Sequence, residues 1–206
     1  HEIRTHAAPF APPVALISGG ECTVTLPAGS SGRGGRCSEF LLSLAVELGG
    51  ARDVHALAAD TDGIAELSYL VGDASEGVAA VFDPRPDVDC YLQLAREKQV
   101  SITHIFETHI HVDFVSGARE LCARVDSAKI YLSHEGGARY GFEHEGIVDG
   151  DVFELGSALI AARHTPGHSP EHMAYLLSEK DHPDAPWGVL TGDSLFVNSA
   201  GRPDLL

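Results

Sequence analysis

The chain has 206 residues, of which 44% are hydrophobic and 21% charged, the composition of a globular protein with room for one or two domains. Its 14 basic and 30 acidic residues give a net charge of −16, so binding to nucleic acid or to an anionic membrane is not expected. No apolar run approaches the roughly 18 residues of a membrane span, and four widely spaced cysteines without a CxxC pair favour reduced thiols and a cytoplasmic location.

The first quarter of the chain combines short apolar segments with glycine-rich turns. Residues 12–20 are typical of a strand that enters a glycine turn, and the alternation over 21–26 predicts a second strand. After a Gly- and Arg-rich loop at 29–36, an amphipathic pattern predicts a helix over 38–48, and residues 54–59 form a further apolar run.

From residue 65 onward, short strands alternate with two helices. Strands are predicted at 67–71, 78–82, 102–106, 128–132, 152–155, 158–162, 173–178 and 188–190, and helices at 88–98 and 114–125. The two strands on either side of Gly156 form a predicted hairpin. Hairpins mixed with helices indicate an α/β sandwich with mixed sheets rather than a regular βαβ series.

A histidine-rich motif follows the strand predicted at 102–106. Side chains two residues apart in an extended segment project to the same side, so His109 and His111 can face one point, with Asp113 next in the row. Imidazoles and carboxylates are the ligands that zinc and ferrous iron use in proteins. The motif therefore predicts a metal site, although an exposed polar loop is the simpler alternative.

Two later motifs strengthen the metal interpretation. Residues 164–168 (HTPGH) place His168 at a loop tip after a strand, and residues 191–193 (TGD) place Asp193 at the end of another strand. Active sites of layered α/β folds gather on such strand-end loops. By contrast, His134, His144 and His182 are expected to be ordinary loop residues.

Together these motifs resemble the metallo-β-lactamase superfamily, and within it the bacterial persulfide dioxygenases of the rhodanese-linked branch. The resemblance covers roughly 65–206, and its carriers are ETHIHVDFVSG at 107–117, HTPGHSPEH at 164–172, TGD at 191–193 and GRPDLL at 201–206. It implies an αβ/βα sandwich with a mononuclear Fe(II) held by His109, His168 and Asp193, a ligand set that leaves positions open for substrate and oxygen. The implied reaction is the oxidation of glutathione persulfide by O₂ to sulfite and glutathione.

The same resemblance assigns expected roles to further residues. His111 and Asp113 match catalytic motif positions that orient the iron ligands in the dioxygenases but bind metal in dinuclear hydrolases of the superfamily. Arg202 matches an arginine of the family's GRPD-like segment, where it contacts substrate or anchors the loop. Phe114 stands where thioesterases of the glyoxalase II type carry a histidine, which weakens a two-metal hydrolytic mechanism.

Two alternatives to the dioxygenase remain open at this point. One is a hydrolase that uses Zn(II) to cleave a thioester, lactone, β-lactam or phosphoester. The other is a truncated metal-binding protein without activity.

Residues 1–64 resemble a different family, the C-terminal domain of bacterial glycerate-2-kinases. The carriers are VALISGGE at 14–21, GRGGR at 32–36 and ALAADTDG at 56–63. Most of that enzyme has no counterpart here, so kinase activity is not expected, and the segment is interpreted as an N-terminal graft on a domain spanning 65–206. The apolar run at 54–59 is expected to replace a first strand of the sandwich.

Relatives of the second domain continue beyond the GRPDLL segment, which predicts a sandwich that is incomplete at its C-terminus. Apolar surface left open in this way is commonly buried by self-association, so we expect a homo-oligomer.

Overall fold

The computed structural model describes residues 68–112, 114–196 and 199–203. The strand expected at 54–59, the whole N-terminal graft and Asp113 lie outside these residues. Within the described ranges, no helix is long and apolar enough to cross a membrane.

The first sheet contains five strands in the order β1-β2-β3-β4-β5. They span Tyr69–Asp73 (β1), Val78–Phe82 (β2), Ser101–Phe106 (β3), Lys129–Ser133 (β4) and Glu145–Ile147 (β5). β1 and β2 form an antiparallel hairpin, whereas β2 to β5 are parallel. The sheet is therefore mixed, as the combination of hairpins and helices predicts.

Two helices pack on one face of this sheet, α1 at Asp89–Lys98 and α2 at Ala118–Arg124. They form an apolar layer with the sheet through Tyr91, Leu121, Ile102 and Ile130. The helix expected to start at 114 starts only at 118, because the Gly117 N–H donates to the Pro84 carbonyl at 2.7 Å and ties the chain down first. A side chain at position 117 would place its Cβ 2.1 Å from the Arg85 carbonyl oxygen, so only glycine fits there.

The second sheet is antiparallel, in the order β6-β7-β8-β9. Its strands are Val152–Leu155 (β6), Ala158–His164 (β7), Met173–Glu179 (β8) and Gly188–Leu190 (β9). The hairpin between β6 and β7 turns at Gly156, where a φ of 60° suits glycine. A further short hairpin joins Leu195–Phe196 (β10) to Ser199–Ala200 (β11).

The core between the two sheets is largely aromatic. Phe82, Phe106 and Tyr175 are fully buried, with ring centroids 5.0–5.2 Å apart. Tyr131 and Phe153 close the same cluster from the two sheets. Offset or tilted aromatic packing adds stability beyond the burial of apolar area. The result is a rigid two-sheet sandwich, which confirms the predicted fold class, and its strand-end loops carry the polar motifs.

Candidate metal centre

Three loops meet at one edge of the sandwich. The first follows β3 and carries His109, the second joins β7 to β8 and carries His168, and the third is a short 3₁₀ turn after β9 that carries Asp193. Each loop leaves a buried strand, so the backbone on which each polar side chain stands is anchored by the core.

One ligand atom from each of His109, His168 and Asp193 lies within 4.8 Å of the others. His168 Nε2 is 3.6 Å from Asp193 Oδ2, and the rings of His109 and His168 are perpendicular with centroids 4.9 Å apart. Two imidazoles and one carboxylate at this spacing form a donor set suited to zinc or ferrous iron.

His109 is held as a neutral ligand by its surroundings. Burial, with the nearby His111, His172 and His168, holds the pKa of its imidazole well below the usual range. The Thr108 hydroxyl donates to Asp83 at 3.2 Å, so it accepts the Nδ1–H of His109 at 3.0 Å. This orientation leaves Nε2 of His109 as the nitrogen with a free lone pair, the form in which histidine binds metal.

Asp193 is positioned by His172 and Gly192. Its backbone N–H donates to Nε2 of His172 at 3.2 Å, and the opposite ring nitrogen of His172 contacts the Thr165 hydroxyl at 2.9 Å. Gly192 has a φ of 47°, and a Cβ there would come within 2.7 Å of His172 Nε2 and the Thr108 side chain. Glycine is therefore required for the TGD turn to approach the histidines.

His111 belongs to a second, adjacent group of side chains. Its Nε2 lies 3.0 Å from Asp83 Oδ1 and 3.0 Å from Glu107 Oε2, and its ring centroid is 4.3 Å from that of His109. Asp83 Oδ1 also accepts the Thr108 N–H at 2.7 Å, and the Ser116 hydroxyl donates to Glu107. Burial raises the pKa of the Glu107 carboxyl, while His111 acts in the opposite direction. This group joins the motif loop to the end of β2.

Hydrogen bonds across the edge join the two sheets beside the metal ligands. The Ile110 N–H donates to Glu171 Oε1 at 2.8 Å, and the Met173 N–H donates to the Thr108 carbonyl at 2.7 Å. The Tyr175 hydroxyl donates to the Glu107 carbonyl at 2.7 Å. Because these bonds are largely buried, they fix the distance between the loop bearing His109 and the loop bearing His168.

The remaining sequence-predicted residues are placed as follows. Phe114 packs on His111, with ring centroids 4.6 Å apart. Arg202 is exposed and follows Gly201, whose N–H donates to the Ser194 carbonyl at 3.0 Å beside Asp193. Asp113 lies outside the described residues, so its expected catalytic role stays a prediction.

Sequence reasoning did not single out Asp83 or Glu107, and it did not assign His172 its partner. Asp83 carries a usable signal, since it is a carboxylate that directly follows the buried strand β2 and takes a φ of 46°. The partners of Asp83 lie about 25 residues further along the chain, so no local pattern connects them.

The fold and this edge define a class, the two-sheet α/β sandwiches with a metal-binding histidine and aspartate cluster. Residues 61–205 match the family model of the metallo-beta-lactamase superfamily, and residues 14–75 match the MOFRL family. The first match covers well over half of the chain, so the chain belongs to the metallo-beta-lactamase superfamily. The predicted membership of this superfamily is thereby confirmed, as is the predicted presence of a second family at the N-terminus.

Individual relatives match either the larger part of the chain or the smaller one. A hydroxyacylglutathione hydrolase of Arabidopsis thaliana is 33% identical over 138 residues, 66% of this chain and 51% of that protein. A putative hydroxypyruvate reductase of Agrobacterium vitis is 58% identical over 60 residues, 29% of this chain and 16% of that protein. The solved structure of ETHE1 from Myxococcus xanthus is 31% identical with a TM-score of 0.58, covering 67% of this chain and 56% of that one. The chain thus spans about half the length of the hydroxyacylglutathione hydrolase it matches.

Proposed function

We propose that this chain is a mononuclear iron enzyme in which His109, His168 and Asp193 bind Fe(II), and that it oxidises glutathione persulfide with O₂ to sulfite and glutathione. With His109, His168 and Asp193 as its ligands, Fe(II) would supply the oxygen chemistry of this reaction. The protein's own contribution is to orient the ligands, to keep their nitrogens unprotonated and to position the substrate.

The observation that carries the one-metal interpretation is the environment of His111. Its Nε2 faces Asp83 and Glu107, each at 3.0 Å, and Phe114 covers its ring. Phe114 has no donor atom, so a second ion beside His109 would lack one imidazole. His111 acts instead through its hydrogen bond to Asp83, the carboxylate that also orients Thr108.

The proposed substrate class is glutathione that is modified at its sulfur atom. The Arabidopsis relative is named for a glutathione thioester substrate. Glutathione carries carboxylates that an arginine can bind with two parallel hydrogen bonds. Arg202, exposed beside the Ser194–Gly201 contact, is proposed to bind one of them.

A metal-dependent hydrolase is the second candidate, and the relatives favour it. Chains of about 30% identity are named hydroxyacylglutathione hydrolase, whereas the likeness to ETHE1 concerns one solved structure of 31% identity. In this candidate the same three residues would hold Zn(II), which would supply activated water as the nucleophile.

Oxygen uptake by the iron-loaded chain with glutathione persulfide tests the main proposal. Uptake matched by sulfite formation is the expected result, together with one iron per chain by elemental analysis. Absence of uptake in a chain with full iron occupancy would overturn it. Hydrolysis of a hydroxyacylglutathione by the zinc-loaded chain would establish the second candidate, and inactivity in both assays would overturn both and leave a metal-binding protein.

Three further proposals concern the whole chain: a boundary between two domains at residues 64 and 65, a homo-oligomeric state, and a cytoplasmic location. The family matches overlap over 61–75, which is compatible with that boundary. Exposed apolar side chains in the loop after His111, including Val112 and Val115, offer surface for self-association. Light scattering at micromolar concentration tests the oligomer, and a monomer would contradict it.

A further inference from the structure

A pair of histidines outside the metal centre has the geometry of a chelating site. His134 directly follows β4 and His144 directly precedes β5, so their backbones stand at opposite ends of this short parallel pair, and the rings meet beside Gly146. Their Nε2 atoms are 2.9 Å apart at the surface. Neither residue belongs to the two groups described above.

The tautomer of His144 is determined by the hydrogen bond of its Nδ1 atom. Nδ1 of His144 lies 2.8 Å from the Phe142 carbonyl oxygen, which can only accept, so Nδ1 carries the hydrogen. Nε2 of His144 therefore presents a lone pair toward His134. A ring N–H donated to a backbone carbonyl is the usual support of a metal-binding histidine.

Both rings are held in place by their neighbours. The His134 ring lies over Gly146, where an added Cβ would come within 2.3 Å of its atoms. The His144 ring packs against Tyr140, with centroids 4.9 Å apart. The backbone of His134 is anchored as well, because its N–H donates to the Ile147 carbonyl at 2.8 Å. The two nitrogens are thus arranged in advance, which lowers the entropic cost of joint binding.

The separation of the nitrogens is that of a hydrogen bond, and it is also close to the spacing of two metal ligands at a right angle. With metal–nitrogen distances of about 2.05 Å, two ligands at a right angle are about 2.9 Å apart, whereas tetrahedral ligands are about 3.4 Å apart. The observed 2.9 Å matches the right angle of square-planar or octahedral ions such as Cu(II) and Ni(II). The net charge of −16 also attracts divalent cations to the protein surface in general.

We propose that His134 and His144 form a surface site for a divalent late transition metal ion, which clips the edge strand β5 to β4. On binding, the ring hydrogen of His134 moves from Nε2 to Nδ1 by exchange with water, and the two neutral imidazoles bind the ion through Nε2. An ion that binds only the folded chain also stabilises it against unfolding. The proposal is independent of the reaction catalysed at the other centre.

Nickel is the suitable probe, because Cu(II) would also oxidise thiols and the chain has four cysteines. Ni(II) is titrated calorimetrically into the full chain whose other centre has first been loaded with zinc. We expect one binding event in the parent chain. His134→Ala and His144→Gln should each lower the Ni(II) affinity about 100-fold, because the single remaining imidazole cannot chelate the ion. The double variant, which keeps no imidazole at this site, is expected to show no binding event there.

The control is His182→Ala, which removes a surface imidazole elsewhere and should leave the event unchanged. Circular dichroism and the melting temperature without metal confirm that each variant is folded. Ni(II) should raise the melting temperature of the parent chain and of His182→Ala but not that of His144→Gln. Equal Ni(II) affinity in the parent chain and both single variants, or an unchanged binding event in the double variant, would overturn the proposal.

Discussion

The imidazole of His172 accepts a hydrogen bond from the backbone N–H of Asp193 at 3.2 Å, while its ring lies nearly parallel to that of His109 at a centroid distance of 5.2 Å. One fully buried side chain thus contacts two of the three candidate ligands. Burial lowers the pKa of His172 to about 4, so its Nε2 is an acceptor at neutral pH. His172 is therefore a positioning residue that sets the distance between the β3 loop and the TGD turn.

Replacing His172 tests this positioning role through metal affinity. We expect His172→Ala to weaken metal binding about 10–100-fold, the usual cost of losing a group that orients a ligand. His172→Gln should recover part of the loss, because its amide oxygen can still accept the Asp193 N–H. Competition with a chelator of known affinity measures both.

The matched control for His172 is His104→Ala, which removes a histidine packed against Phe106 and Tyr131 in the sheet. It should lower the free energy of unfolding without changing metal affinity. Equal affinities for His172→Ala and the parent chain would show that His172 is only a packing residue.

Removal of either His168 or Asp193 should abolish metal binding and activity together. Two remaining ligands hold Fe(II) or Zn(II) too weakly to survive dialysis, since stable sites of this kind need three protein donors. Metal content by elemental analysis and turnover are measured on His168→Ala and Asp193→Ala. His182→Ala, a surface change, is expected to alter neither. A variant that keeps its metal while losing activity would show that the removed side chain is not a ligand.

Phe114→His tests why one metal is preferred. The new imidazole would stand beside His111, where Phe114 now packs at 4.6 Å, and would complete a second set of donors. We expect zinc content to rise from one toward two ions per chain, with a gain in hydrolysis of a hydroxyacylglutathione. Phe114→Leu, which adds no donor, should keep one ion. Two zinc ions in the parent chain would show that Phe114 does not limit occupancy.

Acid stability should depend on Asp73, which ties the end of β1 to the β6–β7 turn. Its Oδ2 accepts the N–H and hydroxyl of Ser157 at 2.8 and 2.7 Å, and its Oδ1 accepts from Ser75. These hydrogen bonds hold the pKa of Asp73 well below the ordinary value of 3.8, and the hydrogen bond from the Ser157 hydroxyl has the largest effect.

The sign of this pH dependence follows from proton uptake. Below about pH 4 the unfolded chain binds a proton at Asp73 before the folded chain does, so the stabilisation is complete above that pH and is lost as the pH falls. Urea unfolding midpoints across this range should fall less steeply for Asp73→Ala than for the parent chain. The exposed Asp126→Ala is the control, and parallel profiles for Asp73→Ala and the parent would contradict the assignment.

Much of this architecture follows from short-range patterns. The apolar runs of β2, β6 and β9 are bounded by turn residues, so their limits agree with the sequence prediction to the residue. The candidate ligands follow from the same logic, because each motif comes after a strand whose end lies at the sheet edge. The three residues of β5 are too few to show a hydrophobic alternation, so that strand was not predicted.

Only the tertiary structure decided which groups support those ligands. The Asp83 contact to Thr108 spans 25 residues and the Asp193 contact to His172 spans 21, distances over which residue spacing carries no geometric information. The late start of α2 depends on Gly117 meeting the Pro84 carbonyl 33 residues earlier. The sequence by itself determined the longer strands, the family and the candidate ligand types, because these depend on local periodicity and residue chemistry. The hydrogen-bonded frame around the metal centre, and the meeting of His134 with His144, arise from packing between distant segments.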